Sequence, residues 1–254
     1  MRTALHAEWT KLRTTPGPAW SLLACVVLTA ALSALAASTV ACQSPGCVQD
    51  IGKVSFTGIQ LGQAVVVVLA VLVIGGEYGT GMIQTTLTAI PRRITALTAK
   101  VVVLTAVVLV AGVVAVLGCL AAGALILPGN GFTPLSLSDG PALRAAGGSV
   151  LYLALVGLLG LGVATVVRES ATAIGLVLGL LYLFPIITSL VSDPDWHRRL
   201  EKISPMSSGL LIQETLDLGN RVLTPWEGLG VLGLWAAGAL LAGSAVLRLR
   251  DVSA

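Results

Sequence analysis

The chain alternates between long apolar tracts and short polar islands. A buried strand uses about 4–8 residues, whereas a helix that crosses the ~30 Å hydrocarbon layer needs about 20. Because lipid offers the backbone no hydrogen-bond partner, each long tract is predicted to be a helix. The pattern therefore predicts an all-α membrane protein with six transmembrane helices in a single domain over residues 1–254. The tracts, none of which contains Asp, Glu, Lys, Arg or His, are residues 19–41, 55–76, 101–127, 145–167, 170–191 and 228–247.

Composition and charge agree with this interpretation. Of the 254 residues, 56% are hydrophobic and only 11% are charged, whereas about a quarter are charged in soluble domains. A cytoplasmic N-terminus places nine of the 15 Lys and Arg residues inside and six outside, as the positive-inside rule favours. Four of those six lie in one predicted external loop, residues 192–226. We therefore expect a multi-pass protein of the plasma membrane with both termini in the cytoplasm.

The segment before the first tract has a helical apolar period. Leu5, Trp9 and Leu12 follow i, i+4, i+7, which predicts an amphipathic helix in the cytoplasmic interface within residues 1–18, with Trp9 as an anchor. A frayed basic tail that only sets the topology is the alternative. The candidate residues of the interfacial helix are Glu8, Trp9, Lys11 and Leu12.

The polar island between the second and third tracts, residues 77–100, has a similar period. Ile83, Leu87 and Ile90 follow i, i+4, i+7, and a proline then ends the pattern. Glu77 precedes this short helix and two arginines follow it, and both placements suit its dipole. The periodicity predicts a cytoplasmic helix that docks an apolar face onto a partner, although a solvated connector fits the same residues.

A resemblance to a known family bears on this choice. The stretch "EYGTGMIQTTLTAIPRR", with Lys100 seven residues on, resembles the second cytoplasmic segment of type 2 ABC export permeases in their actinobacterial form. Met82 and Gln84 depart from the threonine and arginine that are usual there. The stretches "AEWTKLRT" and "RLRDVSA" resemble the N-terminal helix and the C-terminal ending of that family.

The resemblance implies a six-helix permease that pairs with a second copy or a paralogue in the lipid bilayer. Separate ABC ATPase subunits would bind ATP and Mg and would dock on residues 77–100 as a coupling helix. The cargo would be amphipathic or lipid-like, as in multidrug or antibiotic efflux, and no nucleic acid partner is expected. The coupling residues implied by the match are Glu77, Tyr78, Gly81, Ile83, Leu87, Pro91, Arg92 and Arg93.

The chain carries little chemistry of its own. It has no P-loop motif, and no Asp, Glu, Lys, Arg or His falls within the six tracts, so we expect neither an enzyme nor a metal site or cofactor in this chain. Gln60 and Gln63 are the strongly polar residues of the second tract. Hydrogen bonding between helices is their first interpretation and a substrate path is the second. A non-transporting immunity or scaffold subunit of the same fold remains the alternative function.

Cysteines and glycines add two structural expectations. Cys42 and Cys47 share the first predicted external loop, where an oxidising compartment favours a disulfide. Cys25 and Cys119 lie within apolar tracts and are expected to be packing residues. The motif formed by Gly175 and Gly179, like the glycines at 157, 160 and 162, predicts close helix packing within a bundle.

Overall fold

A computed structural model describes most of the chain, and every regular element in the described residues is helical. Six of these helices are long and apolar enough to cross a membrane, which confirms the predicted all-α class and the number of candidate spans. The described residues are 2–41, 49–82, 93–136, 138–216 and 223–249.

Eleven α-helices are present in the described residues. The six candidate spans are α2, α4, α5, α6, the pair α7 and α8, and α11, with a π-helical turn, Gly179–Leu183, joining α7 to α8. The bounds are α1 Arg2–Thr14, α2 Pro16–Thr39, α3 Ile51–Ser55, α4 Ile59–Gly79, α5 Arg93–Ile126, α6 Gly140–Val167, α7 Ser170–Leu178, α8 Phe184–Ser189, α9 Pro194–Ile203, α10 Pro205–Leu210 and α11 Pro225–Leu249.

The connection between α6 and α7 has only two residues, which are the two that separate the fourth and fifth apolar tracts. Arg168 adopts a left-handed conformation with φ 64°, and its N–H donates to the carbonyl of Ala164 at 2.9 Å, which ends α6. Glu169 then accepts hydrogen bonds from the N–H groups of Ala171 and Thr172 and caps the start of α7. Opposite cap chemistry on adjacent residues therefore makes the helical hairpin tight.

The centre of the bundle is α6, which packs against α4, α5, α7 and α11. Of its most apolar stretch, 67% is buried, against 22% for α2, for the α7–α8 span and for α11. Gly162 allows a close approach between α6 and α11, since a Cβ there would lie 2.6 Å from the backbone of Ala239 on α11. The prediction of glycine-mediated packing is thus confirmed for α6.

The same prediction is wrong for the glycine pair of α7 within this chain. A Cβ at Gly175 would meet no atom within 4 Å, and one at Gly179 would touch only Leu183 of the same span. These glycines therefore lie on an open face, because α7 is turned so that Ala173 and Val177 face the core. Cys25 and Cys119 are buried and free, as expected for packing residues.

At the end of the bundle opposite to the N-terminus, Asp50 joins two loops. Its carboxylate accepts from the N–H of Lys53, from the N–H and hydroxyl of Thr215, and from the N–H of Leu216, at 2.6–3.2 Å. Burial raises the pKa of this carboxyl, but the hydrogen bonds from Thr215, Leu216 and Lys53 outweigh burial and hold the pKa below its usual value. Asp50 thereby fixes the start of α3 to the segment after α10.

Candidate functional site

Part of the predicted site lies outside the described residues. That part holds Ile83, Leu87, Pro91 and Arg92 of the predicted coupling helix and the Cys42–Cys47 pair. Arg93 is the first residue of α5, and the structure describes its backbone only. The coupling helix and the disulfide therefore stay predictions, and the structure shows what flanks the coupling segment on either side.

On its N-terminal side, the segment is preceded by the last turn of α4, which contains Glu77 and Tyr78. Gly81 follows with φ 71°, a left-handed conformation that glycine adopts without steric cost, so it ends the helix. Glu77, which the sequence predicts to precede the positive end of the coupling helix, lies at the negative end of α4. A carboxylate is disfavoured there, so cations must compensate for it.

Two lysines supply that compensation. Nζ of Lys100 lies 2.6 Å from Oε1 of Glu77 and 2.8 Å from Oε2 of Glu8. Nζ of Lys11 lies 2.6 Å from the same Oε1 of Glu77 and 3.2 Å from Oε1 of Glu8. The four side chains form a closed ring of alternating charge, called the ion cluster below. It joins α1, α4 and α5.

The ion cluster is largely removed from solvent. The side chains of Lys100, Glu8 and Glu77 are 2%, 5% and 7% exposed, whereas that of Lys11 is 32% exposed. Removing a charge from water costs several kcal/mol, which only close pairing offsets. The two cations and two anions sum to zero formal charge, so removing one of them leaves an unbalanced charge in a buried position.

The sequence interpretation did not include Lys100 in a span. The third apolar tract was drawn from residue 101, but α5 begins at Arg93, and Lys100 therefore lies two turns inside the helix. The expectation that the spans hold no Asp, Glu, Lys, Arg or His is thus wrong at this end of the bundle, because the helices of the structure include Glu77 and Lys100. The available signal was the run Ala96, Leu97 and Ala99 before Lys100, which continues the apolar face of α5 towards its start.

An N-terminal helix, α1, is present, and the placement of its apolar face in the membrane interface stays a prediction. Ala4 and Glu8 are buried, whereas Trp9 of the predicted apolar face is half exposed. The ion pair between Glu8 and Lys100 holds the buried side of α1 against α5. Burial lowers the pKa of Lys11, but its hydrogen bond to Glu77 and the charges of Glu77 and Glu8 outweigh this and raise the pKa above its usual value.

The α6–α7 hairpin tip meets the same end of α4. The guanidinium of Arg168 lies 5.7 Å from the centre of the Tyr78 ring, within the range of a cation–π contact. One turn earlier, Gly75 faces Ser170 so closely that a Cβ would lie 2.4 Å from the serine hydroxyl. The last turn of α4 is therefore in contact with four parts of the bundle, namely α1, α5 and both sides of the hairpin tip.

Gln60 and Gln63 lie on α4 in different surroundings. Gln63 is buried, accepts a hydrogen bond from the hydroxyl of Tyr152 on α6, and donates to Sδ of Met206 at 3.3 Å. The carbonyl of Gln60 accepts from the hydroxyl of Tyr182. Gln63 thus makes the predicted hydrogen bonds between helices, while Gln60 lines a cavity of about 260 Å³ beside α8, α9 and α10.

Comparisons with known proteins do not name a family. No protein-family model matches the chain, and a search of curated proteins finds no match. The six long apolar helices support the class of a multi-pass helical membrane protein. The function of the chain is inferred from the site.

Proposed function

We propose that this chain is the membrane-spanning permease subunit of an ABC exporter for an amphipathic substrate. The observation that carries the proposal is the ion cluster. Its members Glu77 and Lys100 are the two end residues of the segment that resembles a coupling helix, residues 77–100, and they are joined at 2.6 Å. The two flanks of that segment are thereby held together, and Glu8 and Lys11 bind both flanks to α1.

This arrangement supports a mechanical role for the segment. α4 ends at Gly79 and α5 begins at Arg93. If an ATPase moves residues 83–92, the displacement therefore passes directly to the adjacent ends of these two helices. Buried ion pairs resist separation, so α1, α4 and α5 would move together as a unit. A rigid shift of packed helices is a known way for an effector to bias two states of a bundle. The chain would contribute the translocation path, and the partner would contribute ATP hydrolysis.

The remaining parts of the proposal follow from the sequence. An even number of spans leaves both termini on the same side of the membrane. The uneven distribution of Lys and Arg favours the cytoplasmic side of the plasma membrane for them. A second copy or a paralogue would complete the path, and ATP and Mg would be bound by the ATPase. The runner-up function, an immunity or scaffold subunit, keeps the fold and the cluster but requires no ATP-driven movement.

The test is partner capture with a charged variant of the predicted apolar face. Leu87→Asp would place a carboxylate against an apolar groove, and desolvation of that charge would weaken ATPase binding by about 100-fold or more. Thr88→Asp is the matched control, because Thr88 lies on another side of the predicted helix. The chain is affinity-purified from native membranes in mild detergent, and copurified ATPase and ATP hydrolysis are measured.

We expect an ATPase to copurify with the unmodified chain and with Thr88→Asp, and to be lost with Leu87→Asp. Equal capture by both variants would show that the segment is only a connector. No ATPase with the unmodified chain would favour the scaffold function.

A further inference from the structure

The cavity beside α8, α9 and α10, called the α9 cavity below, lies at the end of the bundle opposite to the ion cluster. Gln60 in the first turn of α4 lines it, whereas Glu77 of the ion cluster lies in the last turn of the same helix. Its volume is about 260 Å³, which equals that of roughly nine water molecules at about 30 Å³ each. The α9 cavity therefore has room for a small organic molecule.

The walls of the α9 cavity combine apolar and polar residues. Met206 and Leu210 of α10 are apolar, and Gln60, Ser207 and Glu201 are polar. Apolar walls with a few polar groups are the usual form of a small-molecule site. We therefore expect a ligand with a short apolar part and one polar end.

Three charged residues in the described part of the chain line the α9 cavity, and two of them form a pair. Nζ of Lys53 lies 3.3 Å from Oε1 of Glu214. The third is Glu201, which is partly exposed, and no described residue donates a hydrogen bond to its carboxylate or forms an ion pair with it. One lysine and two glutamates leave a net formal charge of −1. The cavity thus has one carboxylate that a ligand can reach and that lacks a cation.

The chemistry of this carboxylate selects the polar end of the ligand. A carboxylate accepts hydrogen bonds and donates none, and the amide oxygen of Gln60 is a further acceptor. A primary ammonium group carries one positive charge and three N–H donors, so it matches both the charge and the acceptors. A calcium or magnesium ion requires about six or more oxygen ligands, which one carboxylate and one amide do not supply. An organic ammonium ion is therefore the better match.

We propose that the α9 cavity binds a small primary alkyl amine in its ammonium form. The ammonium donates to the carboxylate of Glu201, Gln60 offers a second acceptor, and the alkyl part packs against Met206 and Leu210. An alcohol of the same skeleton fills the same volume but brings no charge to Glu201. The proposal does not depend on the exporter function.

Two carboxylates at this end of the bundle provide the variant and its matched control. Glu201→Gln keeps the shape of the side chain and removes its charge. Asp139→Asn makes the same change at the start of α6, where Asp139 is exposed, makes no side-chain capping bond and does not line the cavity. Neither position is buried, so both variants are expected to fold.

The experiment is photo-crosslinking in membrane vesicles that contain the chain. One probe is a short alkyl amine that carries a diazirine, and the other is the alcohol of the same skeleton. Peptide mass spectrometry then measures labelling of residues 200–214, which surround the cavity, relative to labelling of α2, of which little is buried. This ratio corrects for the different partitioning of the two probes into the membrane.

A hydrogen bond to a charged group corresponds to roughly tenfold or more in affinity. We therefore expect the labelling ratio of the amine to exceed that of the alcohol by about this factor in the unmodified chain. The same preference is expected in Asp139→Asn, and its loss in Glu201→Gln.

Equal ratios for the two probes in the unmodified chain, or an unchanged preference in Glu201→Gln, overturn the proposal. Loss of the preference in both variants also overturns it, because this would assign the effect to the overall charge at this end of the bundle. No ATPase takes part in the measurement, so either result leaves the exporter proposal to its own test.

Discussion

Replacing Lys100 by methionine tests whether the ion cluster holds α1, α4 and α5 together. Methionine keeps most of the length and packing volume of the lysine stem but removes the charge. The change removes contacts of 2.6 and 2.8 Å to Glu77 and Glu8 from a side chain that is 2% exposed. The two carboxylates then face a single cation, Lys11.

Removing one partner of a buried ion pair costs about 3–5 kcal/mol. We expect the lower end, about 3 kcal/mol, since Lys11 still contacts both carboxylates at 2.6 and 3.2 Å. For a chain of this size, such a loss corresponds to a fall in melting temperature of about 6–12 °C. The double variant Glu77→Gln with Lys100→Met removes one charge of each sign and should recover most of that loss, to within about 1–2 kcal/mol of the unmodified chain.

The assay heats the protein in mild detergent and measures the monodisperse fraction by size-exclusion chromatography. Lys202→Met is the control, because Lys202 is exposed on α9, and it should change the free energy of unfolding by no more than about 0.5 kcal/mol. A melting temperature of Lys100→Met equal to that of Lys202→Met would refute the reasoning. So would a double variant no more stable than Lys100→Met, since this would show that charge balance is not what the lysine provides.

Two further predictions concern the opposite end of the bundle and the topology. Asp50→Asn should lower the free energy of unfolding by about 1–3 kcal/mol at pH 7, because both carboxylate oxygens of Asp50 accept hydrogen bonds, whereas an amide has a single acceptor oxygen and its NH2 group would face N–H donors. The depressed pKa of Asp50 means that its contribution is complete above the unfolded value of about 3.9 and is lost as the pH falls through the folded value. Melting temperatures measured from about pH 6 to pH 3 should therefore converge for the unmodified and Asn chains, and parallel curves would contradict this origin of the stability. Single cysteines at Thr88 and Ser207, in a chain with Cys42 and Cys47 replaced by serine, should react with an impermeant reagent from opposite sides of the membrane. Labelling of both from one side would exclude the proposed orientation of six spans.

Several features of the fold could be predicted because they are local. Whether a stretch of about 20 residues partitions into lipid depends on its own side chains, so the apolar tracts predicted the number and the approximate positions of the spans. The two-residue hairpin at Arg168 and Glu169 could also be predicted from the sequence. Its position follows from charges that interrupt an otherwise continuous apolar run, and Glu169 is an acceptor at a helix start.

The ends of the helices were less accessible. Composition shows where apolar residues end, whereas a helix ends where the backbone leaves the helical conformation, as it does at Gly81 after α4. This is why the third tract was drawn from residue 101 while α5 begins at Arg93. Lys100 was therefore assigned to solvent, although in the structure it is among the most buried charges of the chain.

What the sequence by itself determined is the solvent of each segment, namely which six stretches are apolar enough for lipid and which short islands are polar. Only the tertiary structure decided which side chains meet. Lys100 pairs with Glu8 and Glu77, which are 92 and 23 residues away along the chain. Gly175 faces outward while Gly162 contacts α11. The physical reason is that a buried charge or a glycine contact is favourable only when a complementary group from another helix occupies the adjacent position.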